Sequence, residues 1–255
     1  VHLRLGLIYL AFHDLKEATD QANWVLSKKP GQEESVLMLV EIATTPKEIE
    51  DRRQWLESFQ RKDQDRAVYH IGLASLDLRE NKLDLAGVEI KKALALDSKS
   101  SAARAVLANL NWARNDLSAA EQAFKEAADS SPLRSPFRLR YADFKLKTGA
   151  VEDAKKFLEE LTRRVPDYLP AWNYLMKVAF AEKKFDDCAV LAGKILARDP
   201  RNYDAQMLIG NLYFVKNETS QAVAQFERLS ATYDRVPQVK FQLSLAYLAN
   251  GEPAK

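Results

Sequence analysis

Large apolar residues recur along the chain at one fixed interval. Leu5, Leu39, Leu73, Leu107, Tyr141, Leu175, Ile209 and Leu243 are each 34 residues apart, without an insertion or deletion. The residue after each is mostly small: Gly6, Val40, Ala74, Ala108, Ala142, Met176, Gly210 and Ser244. Twelve residues further on, alanine stands at 18, 86, 120, 154 and 222, with Arg52 and Cys188 in the two remaining places. Twelve more bring Pro30, Ser98, Pro132, Pro166, Pro200 and Asp234, with Gln64 the outlier. A period of this size marks a repeat architecture rather than one or two ordinary globular domains.

Each period predicts two amphipathic helices. In 203–236, Met207, Ile209, Leu212 and Tyr213 mark the first, Lys216, Asn217 and Glu218 a polar turn, and Ala222, Val223, Phe226 and Leu229 the second. Small residues on both helices let the two axes approach where they cross, and the neighbouring large residues fill the grooves. Proline closes the period because it has no N–H to donate and restricts the residue before it. A single hairpin cannot bury both of its faces, so successive hairpins must stack.

The second period departs from this pattern. Pro46 falls inside the usual turn, and Thr45-Pro46-Lys47-Glu48 reads as a capping box with proline at the first helical position. A first helix ending near Ala43 and a second starting at Pro46 are expected. Arg52 takes the alanine place, and burying it unpaired would be costly. The helix is therefore expected to rotate so that Ile49, Leu56 and Phe59 face inward.

With these residues in register, the chain resembles the tetratricopeptide repeat family, whose signature is Trp, Leu-Gly, Tyr, Ala, Phe, Ala and Pro at fixed offsets. Ile209-Gly210-Asn211-Leu212-Tyr213 with Ala222 and Phe226 carry the best single match. Trp172, Leu175, Ile195 and Pro200 supply the sixth repeat, and Leu107, Ala108, Ala120, Phe124, Ala127 and Pro132 the fourth. The repeats are then 1–32, 33–66, 67–100, 101–134, 135–168, 169–202 and 203–236, with a half-repeat at 237–255 and the next signature alanine falling at 256. In this frame the chain is one solenoid, expected to be a window of a longer array.

The resemblance implies an all-α fold, a right-handed superhelical α-solenoid of stacked antiparallel helix pairs, with first helices lining a concave groove. It implies a protein-interaction scaffold that takes a peptide or partner subunit in that groove. The groove positions are Asn109 and Trp112 in the fourth repeat, Arg140, Asp143 and Lys147 in the fifth, Asn173, Lys177 and Phe180 in the sixth, and Asn211 and Phe214 in the seventh. Amides bond a peptide backbone whatever its sequence, and aromatic anchors add contact area. The aromatic members could equally be covering the next hairpin. Leu139 and Met207 belong to the same faces, and Leu3, Leu7, Leu10 and Leu37 give the early repeats an apolar one. The Lys/Asn/Lys/Arg clamp with which some family members hold an acidic C-terminus is matched only by Lys177 and Asn211. The alternative is a non-catalytic arm of a larger bacterial envelope, exopolysaccharide-export or glycosyltransferase protein, since the residues at 245–254 are similar to such long arrays. Uncapped array ends also offer a route to self-association.

Charge and composition narrow the partners. Lys plus Arg number 38 and Asp plus Glu 36, a net charge of +2 without a basic face, which argues against nucleic acid as ligand. No run of residues is apolar enough for a membrane span, and no signal peptide opens the chain. A single cysteine, Cys188, precludes an internal disulfide and fits either a cytoplasmic or a bacterial periplasmic setting.

Candidate chemistry is sparse. His2 and His70 occupy the signature tryptophan position, which favours packing, and His13 falls in a turn. None of the three belongs to a metal-ligand spacing. Cys188 replaces the signature alanine, a buried small-residue role. Glu159-Glu160 and Asp186-Asp187 do not converge, and there is no phosphate-binding glycine loop. The segment is read as non-enzymatic, with no metal and no cofactor.

Overall fold

The computed structural model describes residues 1–11, 14–62 and 65–252. Among them the chain is helical, with no strand. The helices are α1 (His2–Ala11), α2 (Leu15–Lys28), α3 (Glu33–Ile42), α4 (Pro46–Lys62), α5 (Ala67–Arg79), α6 (Leu83–Leu96), α7 (Ser101–Ala113), α8 (Leu117–Asp129) and α9 (Pro136–Lys147). They continue as α10 (Val151–Arg164), α11 (Leu169–Ala181), α12 (Phe185–Leu196), α13 (Tyr203–Val215), α14 (Thr219–Thr232) and α15 (Pro237–Ala249). From α5 onward helix starts keep the 34-residue interval, except that α9 begins one residue late at Pro136. The chain divides into two compact units, Val1–Phe144 and Lys145–Lys255.

In each unit the fold is a solenoid of helix pairs. First helices pack on their own partner, as α5 on α6 and α13 on α14. They also pack on the second helix before them and on neighbouring first helices, as α5 on α7 and α11 on α13. The predicted crossing residues do what the pattern requires. The alanines at 18, 86, 120, 154 and 222 are wholly buried, and so is Cys188. In the seventh pair a Cβ built on Gly210 would meet Cε1 of Phe226 at 2.7 Å, so only glycine lets α14 come this close.

The turns inside the pairs share one device. Asn81, Asn115, Gly149, Lys183, Asn217 and Gly251 all have φ between 58° and 84°, and they too are 34 residues apart. Each is followed by an N–H that reaches back to the carbonyl five residues earlier, as Lys82 to Asp77 at 2.8 Å and Lys184 to Ala179 at 2.9 Å. That pair of features is a Schellman ending, which uses a left-handed residue to satisfy the last carbonyls of the first helix.

The second pair ends differently, in the way Pro46 dictates. α3 stops at Ile42 and α4 starts at Pro46. Thr45 N–H donates to Glu48 Oε2 at 2.9 Å, and Glu48 N–H donates to Thr45 Oγ1 at 3.3 Å, the expected capping box. The shortened α3 leaves carbonyls without helical partners. Arg79 Nη1 donates to two of them, Val40 O at 2.7 Å and Ala43 O at 2.5 Å. Leu56 is fully buried, Ile49 nearly so, and Phe59 packs at the edge of the same core. Arg52 stays half-buried with its guanidinium over the Trp55 ring, 4.9 Å from the centroid. Arg53 ties α4 to α5 through Asp77 at 2.8 Å and Glu80 at 2.6 Å.

Candidate functional site

The reactive groups singled out in the sequence are held in packing roles. His2 stacks on Trp24 with ring centroids 3.6 Å apart, and its Nδ1 faces Gln21 Oε1 at 2.7 Å. His70 is buried between α5 and α6, with Nδ1 2.5 Å from Glu89 Oε2 and Nε2 3.0 Å from Asp65 Oδ1. Burial alone would raise the Glu89 carboxyl, but hydrogen bonds from His70 and Lys92 hold it below its usual range. Burial pushes the Cys188 thiol up to about 11, so it is protonated at neutral pH. Among the described residues no three His, Cys, Asp or Glu side chains gather as metal ligands. His13 lies outside the described residues.

In the first unit, α1, α3, α5, α7 and α9 line a groove of about 950 Å³. Leu7, Leu10, Leu37, Ile71, Val106 and Phe137 make its apolar surface. Glu33, Glu34, Glu41 and Asp97 contribute acid groups, and Lys99, Arg134 and Arg140 cations. Burial and the neighbouring charges of Glu34 and Asp97 raise the Glu33 carboxyl. The groove therefore combines apolar area with charges of both signs.

The predicted groove residues of this unit separate into two groups. Asn109 and Arg140 line the groove and are exposed. The Arg140 guanidinium sits 5.7 Å from the Phe137 ring centroid. Trp112 instead meets Phe124 and Phe144 edge-on, with centroids 6.3 and 5.3 Å away. Asp143 is half-buried.

In the second unit a polar link joins α11 to α13. Asn173, 9% exposed, donates from Nδ2 to Asp204 Oδ2 at 3.0 Å. Lys177 Nζ lies 2.8 Å from the other Asp204 oxygen. Asn211 is half-buried two turns beyond Asp204 on the same helix. Lys147 is exposed. Phe180 packs on Phe185 and Phe214 on Phe226, both with ring centroids 5.7 Å apart. Asp204 was not among the residues singled out in the sequence, nor were Glu33, Glu34 and Arg79.

These first-helix faces and the regular hairpins beneath them can be set beside known proteins. A tetratricopeptide repeat family model matches residues 111–177 and 179–244, just over half of the chain. The chain belongs to the tetratricopeptide repeat family. A tetratricopeptide repeat protein from Parabacteroides merdae shares the fold with a TM-score of 0.59 at 14% identity, over 96% of this chain and 97% of that one. The APC/C hetero-tetramer Cut9-Hcn1 shares it with a TM-score of 0.63 at 15% identity, over 94% of this chain but 47% of that one. Pseudomonas aeruginosa pilF gives a TM-score of 0.50 at 17% identity, over 94% and 93% of the two chains. No curated protein sequence matches. At these identities the likeness is one of fold. Tetratricopeptide repeat proteins are generally non-catalytic protein-interaction scaffolds, and among the described residues no helix is long and apolar enough to cross a membrane.

Proposed function

We propose that this tetratricopeptide array binds an extended peptide or a segment of a partner subunit along its first helices. The observation that carries the reading is the groove of about 950 Å³ lined by α1, α3, α5, α7 and α9. Its volume lies near the upper end of ordinary ligand sites, about 300–1,000 Å³. Its length over five first helices suits an extended chain better than a compact metabolite. Asn109 offers an amide to a peptide backbone, and the leucines of α1 and α3 offer pockets for apolar side chains. Arg140 and the Glu33–Glu34 pair supply charges of opposite sign that set the direction of the bound segment. In the second unit the same role falls to the face carrying Asn173, Lys177 and Asn211, where Asp204 already neutralises Lys177.

Selection of a displayed random peptide library against the chain tests the reading. Selected peptides should share apolar residues with at least one flanking charge, and Asn109→Ala with Arg140→Ala should weaken them at least tenfold without moving the thermal melt. Peptides that bind the double variant as tightly as the parent protein would place the ligand elsewhere.

A further inference from the structure

A second cleft, of about 430 Å³, lies within the second unit between α10 and α12, with α11 as its floor. It is bordered by second helices, unlike the groove lined by first helices. Its floor is Trp172, Leu175, Val178 and Ala179, and its α12 wall includes Leu191 and Val190, the latter 58% exposed.

The repeat register explains why the space is open. The register position of Tyr247 recurs every 34 residues as Asp77, Asn111, Lys145, Ala179 and Tyr213, so α11 carries the smallest side chain of the series. At the end of the unit Tyr247 on α15 reaches back to α14, and its hydroxyl donates to Glu227 Oε1 at 2.7 Å. Two periods earlier the matching residues are Ala179 on α11 and Glu159 on α10, and both line the cleft. So the junction of the fifth and sixth repeats keeps the acceptor and lacks the phenol. No contact to the Glu159 carboxylate is seen among the described residues.

The floor and the turn end of the cleft are held in place. The Trp172 ring is pinned by its indole N–H, which donates to Pro166 O at 2.9 Å, and Lys194 Nζ stands 5.6 Å from its centroid. The turn end is closed by Glu182, held by Lys184 at 2.8 Å and Lys155 at 3.8 Å. The result is a slot with an apolar floor and a charged rim, in which Glu159 is the acceptor on the α10 wall.

We propose that this cleft is a docking pocket for one tyrosine side chain presented by a partner polypeptide. Its ring takes the place of the ring absent at Ala179, against Leu175 and Trp172, and its hydroxyl donates to Glu159 as Tyr247 donates to Glu227. Aromatic side chains seated in such pockets, with one polar tip satisfied, dominate the energetics of many interfaces. A phenylalanine would fill the space and leave Glu159 without its donor.

Titration of the full chain with N-acetyl-tyrosinamide and with N-acetyl-phenylalaninamide, followed by amide and indole NMR shifts, tests this. The tyrosine amide should shift Ala179, Leu191 and the Trp172 indole saturably, and bind about fivefold tighter than the phenylalanine amide, as one hydrogen bond is worth. Glu159→Ala, at an exposed position, should abolish that difference. Ala179→Tyr should abolish the shifts while melting at or above the parent temperature. Equal affinity of the two amides, shifts mapping elsewhere, or saturable binding retained by Ala179→Tyr would each overturn the assignment. If Ala179→Tyr fails to fold, the comparison of the two amides on Glu159→Ala decides alone.

Discussion

Gly210 lies directly beneath the ring of Phe226, so close that a methyl group on its Cα would sit 2.7 and 2.8 Å from the two Cε carbons. By contrast Gly193, on α12, has nothing within 4 Å of the same virtual methyl group. The same substitution should therefore have opposite signs at the two places. Gly210→Ala is expected to overpack the crossing and cost about 1–3 kcal/mol. Gly193→Ala should gain about 0.5–1 kcal/mol from helix propensity. Chemical denaturation of both variants checks the pair.

Lys183 is the only residue other than Asn or Gly in the left-handed turn series among the described residues, at φ 59°. A side chain with a Cβ costs about 1–2 kcal/mol in that region, and asparagine offsets part of this by local hydrogen bonding. Lys183→Asn or Lys183→Gly should raise the melting temperature, by about 0.5–1 kcal/mol of stability once the entropy of glycine is counted. Asn217→Ala, at the same place one repeat later, should lower it.

Arg79 is the cap that the short α3 requires. Arg79→Met keeps the aliphatic stem and removes the donors to Val40 O and Ala43 O. A loss of about 1–3 kcal/mol is expected, since bonds from a charged donor are stronger than neutral ones and a buried carbonyl left unpaired adds its desolvation. Hydrogen exchange should report the change locally, as faster exchange of amides in the last turn of α3.

Cys188 should be inert in the native state. With its thiol pushed to about 11 by burial, it offers almost no thiolate at pH 8. A chromogenic disulfide reagent is expected to react with it only on denaturation. Because the folded-state value lies above that of an exposed thiol, near 8.5, stability should fall as pH rises from about 8.5 towards 11. Cys188→Ala restores the residue of the register and should remove that component of the pH dependence.

Much of the fold was legible because each repeat solves the same packing problem. The alanine series reports helix crossings directly, and a buried crossing tolerates few alternatives. The Thr45–Glu48 box and the inward turn of Leu56 followed from local chemistry alone. The left-handed series at 81, 115, 149, 183, 217 and 251 keeps the same spacing but was not read as a series from the sequence. Only the turn at Asn217 stood out, because a turn residue carries no hydrophobic signal.

The candidate site was less legible. Asn109 and Arg140 follow from the first-helix face, but the partnership of Asn173 and Lys177 with Asp204 links two repeats. Which polar residues meet between successive helices depends on their relative rotation, and periodicity does not carry that. Trp112, Phe180 and Phe214 share the groove stripe by spacing, yet each makes an aromatic contact inside its own unit.

The six left-handed turns also define where the chain can be cut and rejoined. Excising residues 184–217 would join Lys183 to Glu218, leaving α11 with its own Schellman ending and α14 with its own start. Every retained helix would keep its length and its phase. With Met176→Gly to receive Phe226, removal of this whole period should yield a shorter folded protein, whereas removal of a number of residues that is not a multiple of 34 would turn each later helix out of its groove. The 34-residue interval is thus a unit of recombination: genes for such a chain can gain or lose copies by adjusting only the residues that meet at the new junction, here Met176 in the place of Gly210 beneath Phe226.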